Sequence, residues 1–428
     1  MNADKANGGG IEPTSFARFS WRQVLRIAAA AIPRRTLALA LLAALVVTAA
    51  QLARAQTETV LYSFNGPPDG EQPLASLIVD ARGNLYGTTN GGGLENACCG
   101  TVFKVTPAGA EKVLYTFTLG ADGNSPETAG VVMDKQGNLY GTTVSGGTGC
   151  KGAGCGVVFE LTADRKEKVL YRFRAQGNPG SANAVILDAE GNLYGTTASG
   201  GAGGWGTVFE VTPPHTETVL YNFTDGADGG NPQSGLIVDR QGNLYGTTSQ
   251  GGAYDYGTVF ELSATGTETV LYSFTGGADG GFPLAGLVRD ANGNLYGTTY
   301  EGGAYGFGYM GYGTVFELSQ AGKETVLYSF TGGADGGNPQ GGLVRDKQGN
   351  LYGTTVGGGV PGCVVDIGCG VVFEVAADGT EQLLYSFTGG ADGANPIAGL
   401  VLDKKGNLYG TTELGGASGF GTVFKVVP

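Results

Sequence analysis

The heptapeptide Gly-Asn-Leu-Tyr-Gly-Thr-Thr occurs seven times in this 428-residue chain without a single substitution. The copies occupy residues 83–89, 137–143, 191–197, 242–248, 293–299, 349–355 and 406–412. They recur every 51 to 57 residues, a period at which one repeat forms one supersecondary unit of a closed or stacked array. Such units bury their apolar faces only against their neighbours, so we expect residues 56–428 to fold as one domain.

Each repeat contains four apolar, β-rich runs separated by Gly, Asp and Pro, as strands bounded by turn formers should be. In the fourth repeat these runs are residues 235–239, 243–248, 258–262 and 268–274. Several runs are apolar on both faces, which suits a sheet covered on both sides by neighbouring blades. The sequence therefore predicts an all-β, seven-bladed β-propeller with four antiparallel strands per blade.

The phase of the repeats predicts how the ring closes. The first repeated strand, 58–64, precedes any blade of its own, and the last repeat has only three strands, ending at residues 421–428. We expect strand 58–64 to pair with 422–427 and complete the seventh blade as its outer strand, which limits exposed sheet edges. The predicted innermost strands begin at small residues, as crowding near a shared axis requires: Ser76, Gly130, Ala184, Gly235, Gly286, Gly342 and Gly399.

Residues 1–55 are interpreted as a leader. Arg34 and Arg35 precede an apolar run at 36–50, and the sequence Ala53-Arg-Ala55 follows, as in a secretory signal peptide cut after Ala55. The run is short for a membrane span, although an uncleaved anchor remains an alternative. The prediction is an extracytoplasmic protein without a membrane span in the mature chain.

The mature chain is predicted to be strongly acidic. Seven basic and two acidic residues fall in 1–55, which leaves 18 Lys and Arg against 36 Asp and Glu in residues 56–428. A net charge of −18 makes nucleic acid a poor partner. We interpret the acidity as an aid to solubility rather than as a means of attracting a cationic ligand.

Six cysteines lie in the same loop of three repeats, which in an exported chain favours local disulfides. The predicted pairs are Cys150–Cys155, Cys363–Cys369 and Cys98–Cys99. Adjacent Cα atoms lie about 3.8 Å apart, less than disulfides usually span, so the last pair is expected to be strained. Zinc is disfavoured because the chain has one histidine, His215, and the cysteine spacing differs from the usual metal motifs.

The units Leu-Tyr-x-Phe, Asp-x-x-Gly-Asn-Leu-Tyr-Gly-Thr-Thr, Gly-Gly and Gly-Thr-Val-Phe resemble the Gloeo/Verruco (GloVer) tandem repeat of exported bacterial proteins. The resemblance covers residues 58–428. It implies an exported repeat protein without an established activity and transfers no catalytic residues. The strand order is also loosely similar to that of NHL-type propellers, which are mostly binding platforms.

A second repeated motif, Asp-Gly-x-x-Pro, raises the question of a metal. Its acids are Asp69, Asp122, Asp228, Asp279, Asp335 and Asp392. Carboxylates on one rim are suitable ligands for calcium, but Asp-Gly is also typical of turns, and we favour a structural role without a cofactor. The Asp three residues before the first Gly of each heptapeptide is expected to begin a type I turn.

Residues that depart from the repeat are the candidates for function. Arg289 and Arg345 replace apolar residues of the inner strand and are expected to line the channel or to pair with an acid. Aromatic residues concentrate in the loop after Thr-Thr, which varies between repeats, and are predicted to stack on a sugar or to anchor a protein. This group comprises Trp205, Tyr254, Tyr256, Tyr305, Phe307, Tyr309 and Phe420. The alternative is that these rings only cover the blade ends.

Three functions remain open at this stage. The first is a binding or interaction scaffold whose loops hold a glycan or an extracellular protein. The second is a carbohydrate-active lyase or hydrolase that uses carboxylates such as Glu301, Asp255 or Asp366; it requires two acids that converge in one pocket. The third is a structural component of the envelope or matrix. We favour the first, and no catalytic residue is assigned.

Overall fold

The computed structural model describes residues 57–94, 98–127, 130–148, 154–174, 182–307, 310–363 and 368–428. These belong to one compact unit, Gln56–Pro428. The predicted leader lies outside the described residues, so its cleavage remains a prediction. None of the described residues is helical, and this part of the chain accordingly contains no helix that could cross a membrane.

The prediction of a seven-bladed β-propeller is confirmed: seven sheets each contain four antiparallel strands. Blades are numbered here by their heptapeptide. The strands of blades 1 to 3 are β2 (Ile78–Val79), β3 (Leu85–Gly93), β4 (Cys99–Val105) and β5 (Glu111–Thr116); β6 (Val131–Met133), β7 (Leu139–Thr142), β8 (Val157–Leu161) and β9 (Glu167–Arg172); and β10 (Ile186–Leu187), β11 (Leu193–Thr197), β12 (Thr207–Thr212) and β13 (Thr216–Asn222).

The later blades follow the same order from the inner to the outer strand. Blades 4 and 5 contain β14 (Ile237–Val238), β15 (Leu244–Thr248), β16 (Thr258–Leu262) and β17 (Glu268–Ser273); and β18 (Val288–Arg289), β19 (Leu295–Thr299), β22 (Thr314–Leu318) and β23 (Glu324–Ser329), with a small hairpin, β20 (Gly306–Phe307) and β21 (Met310–Gly311). Blades 6 and 7 contain β24 (Val344–Arg345), β25 (Leu351–Thr355), β26 (Val371–Val375) and β27 (Glu381–Ser386); and β28 (Val401–Leu402), β29 (Leu408–Thr412) and β30 (Thr422–Val426), completed by β1 (Glu58–Ser63).

The N-terminal strand closes the ring as predicted. Strand β1 pairs antiparallel with β30, from Glu58 opposite Val426 to Ser63 opposite Thr422. Phe64, which directly follows β1, packs against Phe103 of blade 1 with ring centroids 5.1 Å apart. The ends of the described chain are therefore joined within one blade, and that blade packs on the first.

The Asp of each repeat organises the turn between the inner two strands. In blade 4 the amide of Gly242 donates to the Asp239 carbonyl at 3.2 Å, which confirms a tight turn. The Asp239 carboxylate accepts hydrogen bonds from Asn243 and from the Tyr245 hydroxyl. Burial alone would raise the pKa of Asp239, but these hydrogen bonds hold it below its usual value.

The end of the heptapeptide joins neighbouring strands and blades. A Cβ added to Gly246 would lie 2.8 Å from the Phe260 ring, so only glycine fits at this position. The buried Thr247 hydroxyl donates to the Ala285 carbonyl of the next blade at 3.0 Å. The heptapeptide is therefore explained by packing and hydrogen bonding within the scaffold.

A ladder of phenylalanines links every blade to the next. The Phe after each outer strand meets a Phe in the third strand of the following blade, edge to face, with centroids 5.0 to 5.3 Å apart. The pairs are Phe64–Phe103, Phe117–Phe159, Phe173–Phe209, Phe223–Phe260, Phe274–Phe316, Phe330–Phe373 and Phe387–Phe424. The hydrophobic core is thus distributed between blades.

Candidate functional site

Two classes of loop share one face of the propeller because antiparallel strands alternate in direction. They are the loops between the second and third strands of each blade and the connections between an outer strand and the next blade. We call this surface the loop face, and the opposite surface, with the Asp turns and the outer hairpins, the turn face. The two classes are joined by backbone pairs such as Gly230 with Gln250 and Gly281 with Glu301. The variable loops are therefore mounted on a continuous hydrogen-bonded rim.

The residue that precedes the third strand fastens this rim in most blades. The Tyr256 ring covers Gly276 and Gly281, since a Cβ on Gly276 would lie 2.5 Å from the ring. Tyr312 covers Gly332 in the same way, and Phe420 covers Gly66. These rings stabilise the connection to the next blade. Tyr256 and Phe420 are only partly exposed, so we assign them to packing rather than to the ligand surface predicted from the sequence.

Disulfides occupy the equivalent place in other blades. Cys98 is bonded to Cys99, and Cys363 to Cys369, as predicted. A Cβ on Gly389 would meet the Cys363 sulfur, so this bridge covers the connection that an aromatic ring covers elsewhere. Cys155 is also disulfide-bonded, whereas its predicted partner, Cys150, lies outside the described residues.

Four aromatic side chains of the loop face are substantially exposed. They lie on the consecutive blades 3, 4 and 5 and are Trp205 (39% exposed), Tyr254 (58%), Tyr305 (51%) and Tyr312 (41%). We call this group the aromatic arc. Of the other predicted residues, Phe307 lies in β20 and Tyr309 falls outside the described residues. Tyr312 was not among the predicted binding residues, although its place in the aromatic-rich loop of blade 5 indicated it.

Two of the exposed tyrosines, Tyr254 and Tyr305, occupy equivalent positions in their loops. Each follows a Gly-Gly-Ala sequence that is hydrogen-bonded to the outer strand of the same blade. The amide of Ala253 donates to the Ser273 hydroxyl at 3.3 Å, and that of Ala304 to the Ser329 hydroxyl at 3.2 Å. The backbone under each exposed ring is thereby fixed, which is suitable for a pre-organised contact.

Arg289 and Arg345 contact aromatic rings of the preceding blade. The Arg289 guanidinium lies 5.4 Å from the centroid of Tyr245, and that of Arg345 lies 5.4 Å from Tyr296. In blade 7 the apolar Leu402 belongs to the same hydrophobic cluster as the corresponding tyrosine, Tyr352. Cation–π contacts therefore replace apolar packing at two blade junctions. Neither arginine belongs to the channel lining or forms an ion pair within the described part of the chain, contrary to the expectation from the sequence.

The central channel has a volume of about 380 Å³ and is lined in all seven blades by residues of the inner strand or of the segment that leads directly into it. The small residues predicted to lie innermost all contribute to it, from Ser76 to Gly399. Its polar side chains include Gln233, Ser234 and Gln340, and no acidic, basic or histidine side chain is among the described residues that line it. His215 lies in the outer hairpin of blade 3, on the turn face. The described lining of the channel thus contains no side chain of the kinds that usually act as general acid or base.

Carboxylates do converge at the circumference of the ring. At the junction of blades 7 and 1, a shallow cleft is lined by Tyr62, Asp69 and Glu111. Burial, together with the charge of Asp69, raises the pKa of Glu111 to about 7. An acid pair of this kind is what the hydrolase hypothesis requires, but the same arrangement recurs around the ring.

The recurring acid pairs form a belt of blade junctions. Burial and then a neighbouring Asp raise the pKa of each glutamate to about 7, and its Oε1 atom is buried without a hydrogen-bond partner in the described residues. The glutamates and their neighbouring aspartates are Glu58 with Asp392, Glu111 with Asp69, Glu167 with Asp122, Glu268 with Asp228, Glu324 with Asp279, and Glu381 with Asp335. Because the arrangement is repeated, we assign it to the scaffold and not to one active site.

The aspartates of the Asp-Gly-x-x-Pro motif are engaged in their own connections. The Asp228 carboxylate accepts hydrogen bonds from the Tyr221 hydroxyl at 3.1 Å and from the Thr224 amide at 2.9 Å. Thr224 also donates its hydroxyl to Asp228 at 2.5 Å. These bonds supply the turn chemistry expected of Asp-Gly. Within the described ranges, no three His, Cys, Asp or Glu side chains are grouped to hold a metal ion.

The family model described as the Gloeobacter/Verrucomicrobia repeat matches residues 46–180, 152–310 and 308–428. No curated protein matches the chain. Among solved structures, a streptogramin B lyase has a TM-score of 0.57 at 12% identity, with 87% of this chain and 97% of that chain covered.

Two further solved structures have comparable folds. A catalytically inactive virginiamycin B lyase from Staphylococcus aureus, with quinupristin, has a TM-score of 0.55 at 10% identity over 87% of this chain and 99% of its own. The extracellular domain of a putative hybrid two-component system from B. thetaiotaomicron has a TM-score of 0.53 at 14% identity, with 87% of this chain and 41% of that chain covered. At these identities the likeness shows the propeller fold alone.

Proposed function

The chain belongs to the Gloeobacter/Verrucomicrobia repeat family, and we propose that it is an exported binding scaffold that holds a glycan or protein ligand on the loop face of blades 3 to 5. The observation that carries the proposal is the aromatic arc, four exposed rings on consecutive blades. Exposed large aromatics on rigid loops are typical of binding surfaces, because they provide contact area at low entropic cost.

The distribution of titratable groups supports binding over catalysis. The channel lacks an acid or base among its described lining residues, and the acid pairs are repeated at the circumference. Asp255 and Glu301 lie in loops of neighbouring blades, while Asp366 is outside the described residues. An extracytoplasmic location is supported by the disulfides, which persist in oxidising compartments.

The binding test uses a panel of neutral and acidic oligosaccharides and of basic and acidic peptides, presented to the immobilised full chain. For a ligand so found, the combined variant Trp205→Ala, Tyr254→Ala and Tyr305→Ala is expected to lose at least about 2 kcal/mol of binding free energy, because exposed aromatics are frequent hot spots. The midpoint of thermal unfolding should change little, because these side chains are exposed.

Tyr256→Ala is the matched control from the same loops. It removes a ring that covers Gly276, so it should destabilise the fold by about 1–3 kcal/mol and leave the exposed rings in place. If the combined variant instead melts early and retains its affinity, the arc is packing and the proposed site is wrong. A chain that binds nothing in the panel would favour the structural-component hypothesis.

A further inference from the structure

The two faces of the propeller differ in charge. Lys and Arg concentrate on the turn face, at Arg82, Lys135, Arg165, Lys166, Arg240, Lys323, Lys347, Lys404 and Lys405. By contrast, the loop-face segments contain no Lys or Arg from residue 198 to the end of the chain. These segments are 198–206, 223–236, 249–257, 274–287, 300–313, 330–343, 356–370, 387–400 and 413–421. The aromatic arc thus lies on a surface without cationic side chains.

Two carboxylates beside the aromatic arc have no cationic or hydrogen-bonding partner within the described ranges. Asp255 is exposed next to Tyr254, and Asp225 lies in the connection between blades 3 and 4. Neither side chain forms an ion pair or accepts a hydrogen bond within the described ranges, whereas Asp228 is held by its own turn. Burial, followed by the charges of Asp255 and Asp228, raises the pKa of Asp225, as expected for like charges placed close together.

Backbone hydrogen bonds join the connection that carries Asp225 to the loops of Trp205 and Tyr254. The amide of Asn231, in the connection that carries Asp225, donates to the Trp205 carbonyl at 2.7 Å. On the other side, the amide of Gly252 donates to the Gly226 carbonyl at 2.8 Å, which joins the same connection to the loop of Tyr254. Asp225, in the connection after blade 3, occupies the position that Gly276 has in the connection after blade 4. Gly276 is covered by the Tyr256 ring, whereas the connection beside Trp205 has no glycine at this position.

We propose that the aromatic arc, together with Asp225 and Asp255, binds a cationic polypeptide segment whose Lys or Arg side chains stack on the rings and pair with the two carboxylates. Aromatic rings are favourable contacts for cations, and charge-assisted hydrogen bonds from Lys or Arg to carboxylates add to such contacts. Charge complementarity thus selects a basic peptide over a neutral glycan. This inference rests on the proposed binding function of the loop face and specifies its ligand.

A fluorescence titration of the full chain tests the inference. The chain has two tryptophans, and the substitution Trp21→Phe leaves Trp205 as the reporter. The probes are heptalysine, heptaglutamate and maltoheptaose. Heptalysine is expected to change Trp205 emission saturably, with affinity that falls as salt rises from about 0.05 M to about 0.3 M. Heptaglutamate and maltoheptaose are expected to leave the emission unchanged.

Charge-neutral variants identify the acids that matter. Asp225→Asn with Asp255→Asn should weaken heptalysine binding by about tenfold, since two charge pairs are lost. The matched control, Asp378→Asn with Glu190→Gln, removes the same charge from exposed side chains of the turn face and should change affinity less than about twofold.

Three results would overturn the inference. They are no response to heptalysine, an equal loss in both double variants, and tighter binding of maltoheptaose that is insensitive to Asp225 and Asp255. In the third case the loop face still binds a ligand, so the proposed function stands while the cationic ligand is rejected. Failure of the proposed function is recognised separately, when the combined aromatic variant retains its affinity for its panel ligand.

Discussion

Deletion of residues 57–64 is expected to prevent formation of a stable ring. Strand β1 supplies the outer strand of blade 7, and Phe64 fills the junction with Phe103 of blade 1. Loss of a buried Phe side chain alone costs about 3–5 kcal/mol, and the deletion also leaves the β30 edge unpaired. A total stability of about 5–15 kcal/mol is typical, so we expect a chain that is largely unfolded or aggregated.

The comparison that isolates closure uses two point variants and limited proteolysis. Phe64→Ala and Phe274→Ala remove equivalent ladder residues from the closing junction and from an internal one, and both side chains are fully buried. Similar losses of about 3–5 kcal/mol are expected from their urea unfolding curves. A deletion variant that resists protease and unfolds like the parent chain would show that β1 does not close the ring.

Lowering the pH from about 8 to about 5 is expected to stabilise the propeller through the glutamates of the blade junctions. Glu268 faces Asp228 and Tyr221 of the preceding blade, and burial followed by the charge of Asp228 raises its pKa from the usual value of 4.5 to about 7. The folded state therefore binds more protons between pH 4.5 and 7, so the free energy of unfolding decreases as pH rises through this window.

The same environment recurs at neighbouring junctions, so the effects should accumulate. Glu324 faces Asp279 and Tyr272 of the preceding blade, and Glu381 has an equivalent site. One pKa unit corresponds to about 1.4 kcal/mol, but these side chains are partly solvated, and we expect on the order of 1 kcal/mol per site.

Glutamine substitutions measure this effect directly. The combined variant Glu268→Gln, Glu324→Gln and Glu381→Gln should unfold at higher urea than the parent at about pH 8 and should differ little at about pH 5. Glu190→Gln, at an exposed turn position, is the control. The pH is kept above about 5 because the turn aspartates have lowered pKa values. Their protonation at more acidic pH would decrease the free energy of unfolding and obscure the effect of the glutamates. Equal pH profiles for the parent and the triple variant would contradict the assignment.

The repeated sequence was sufficient to predict the architecture, because packing between identical blades leaves few alternatives. The number of blades, the closure by 58–64 and the small residues of the inner strands all follow from periodicity and phase. The acid pairs could not be predicted in this way, because each joins residues distant in sequence, such as Asp228 and Glu268 or Glu58 and Asp392.

The candidate surface was only partly predictable for a related reason. A sequence shows that Tyr256 and Tyr254 share one loop, but not that Tyr256 covers Gly276 while Tyr254 remains exposed. The predicted environment of the two arginines was wrong because their partner tyrosines belong to the preceding blade, as Tyr245 does for Arg289. Residues that differ between repeats were therefore useful candidates, and their contacts across blades decided which of them are available to a ligand.

The most direct test of the binding assignment is amide hydrogen exchange of the full chain with and without the tightest-binding member of the ligand panel. Slowed exchange is predicted in the loops of blades 3 to 5, at 198–206, 249–257 and 300–313, and in the connection 223–236 that lies between the first two. The turn face and the corresponding loops of blades 1, 2, 6 and 7 should exchange as in the free chain. Protection confined to the turn face or to the inner strands around the channel would contradict the central claim.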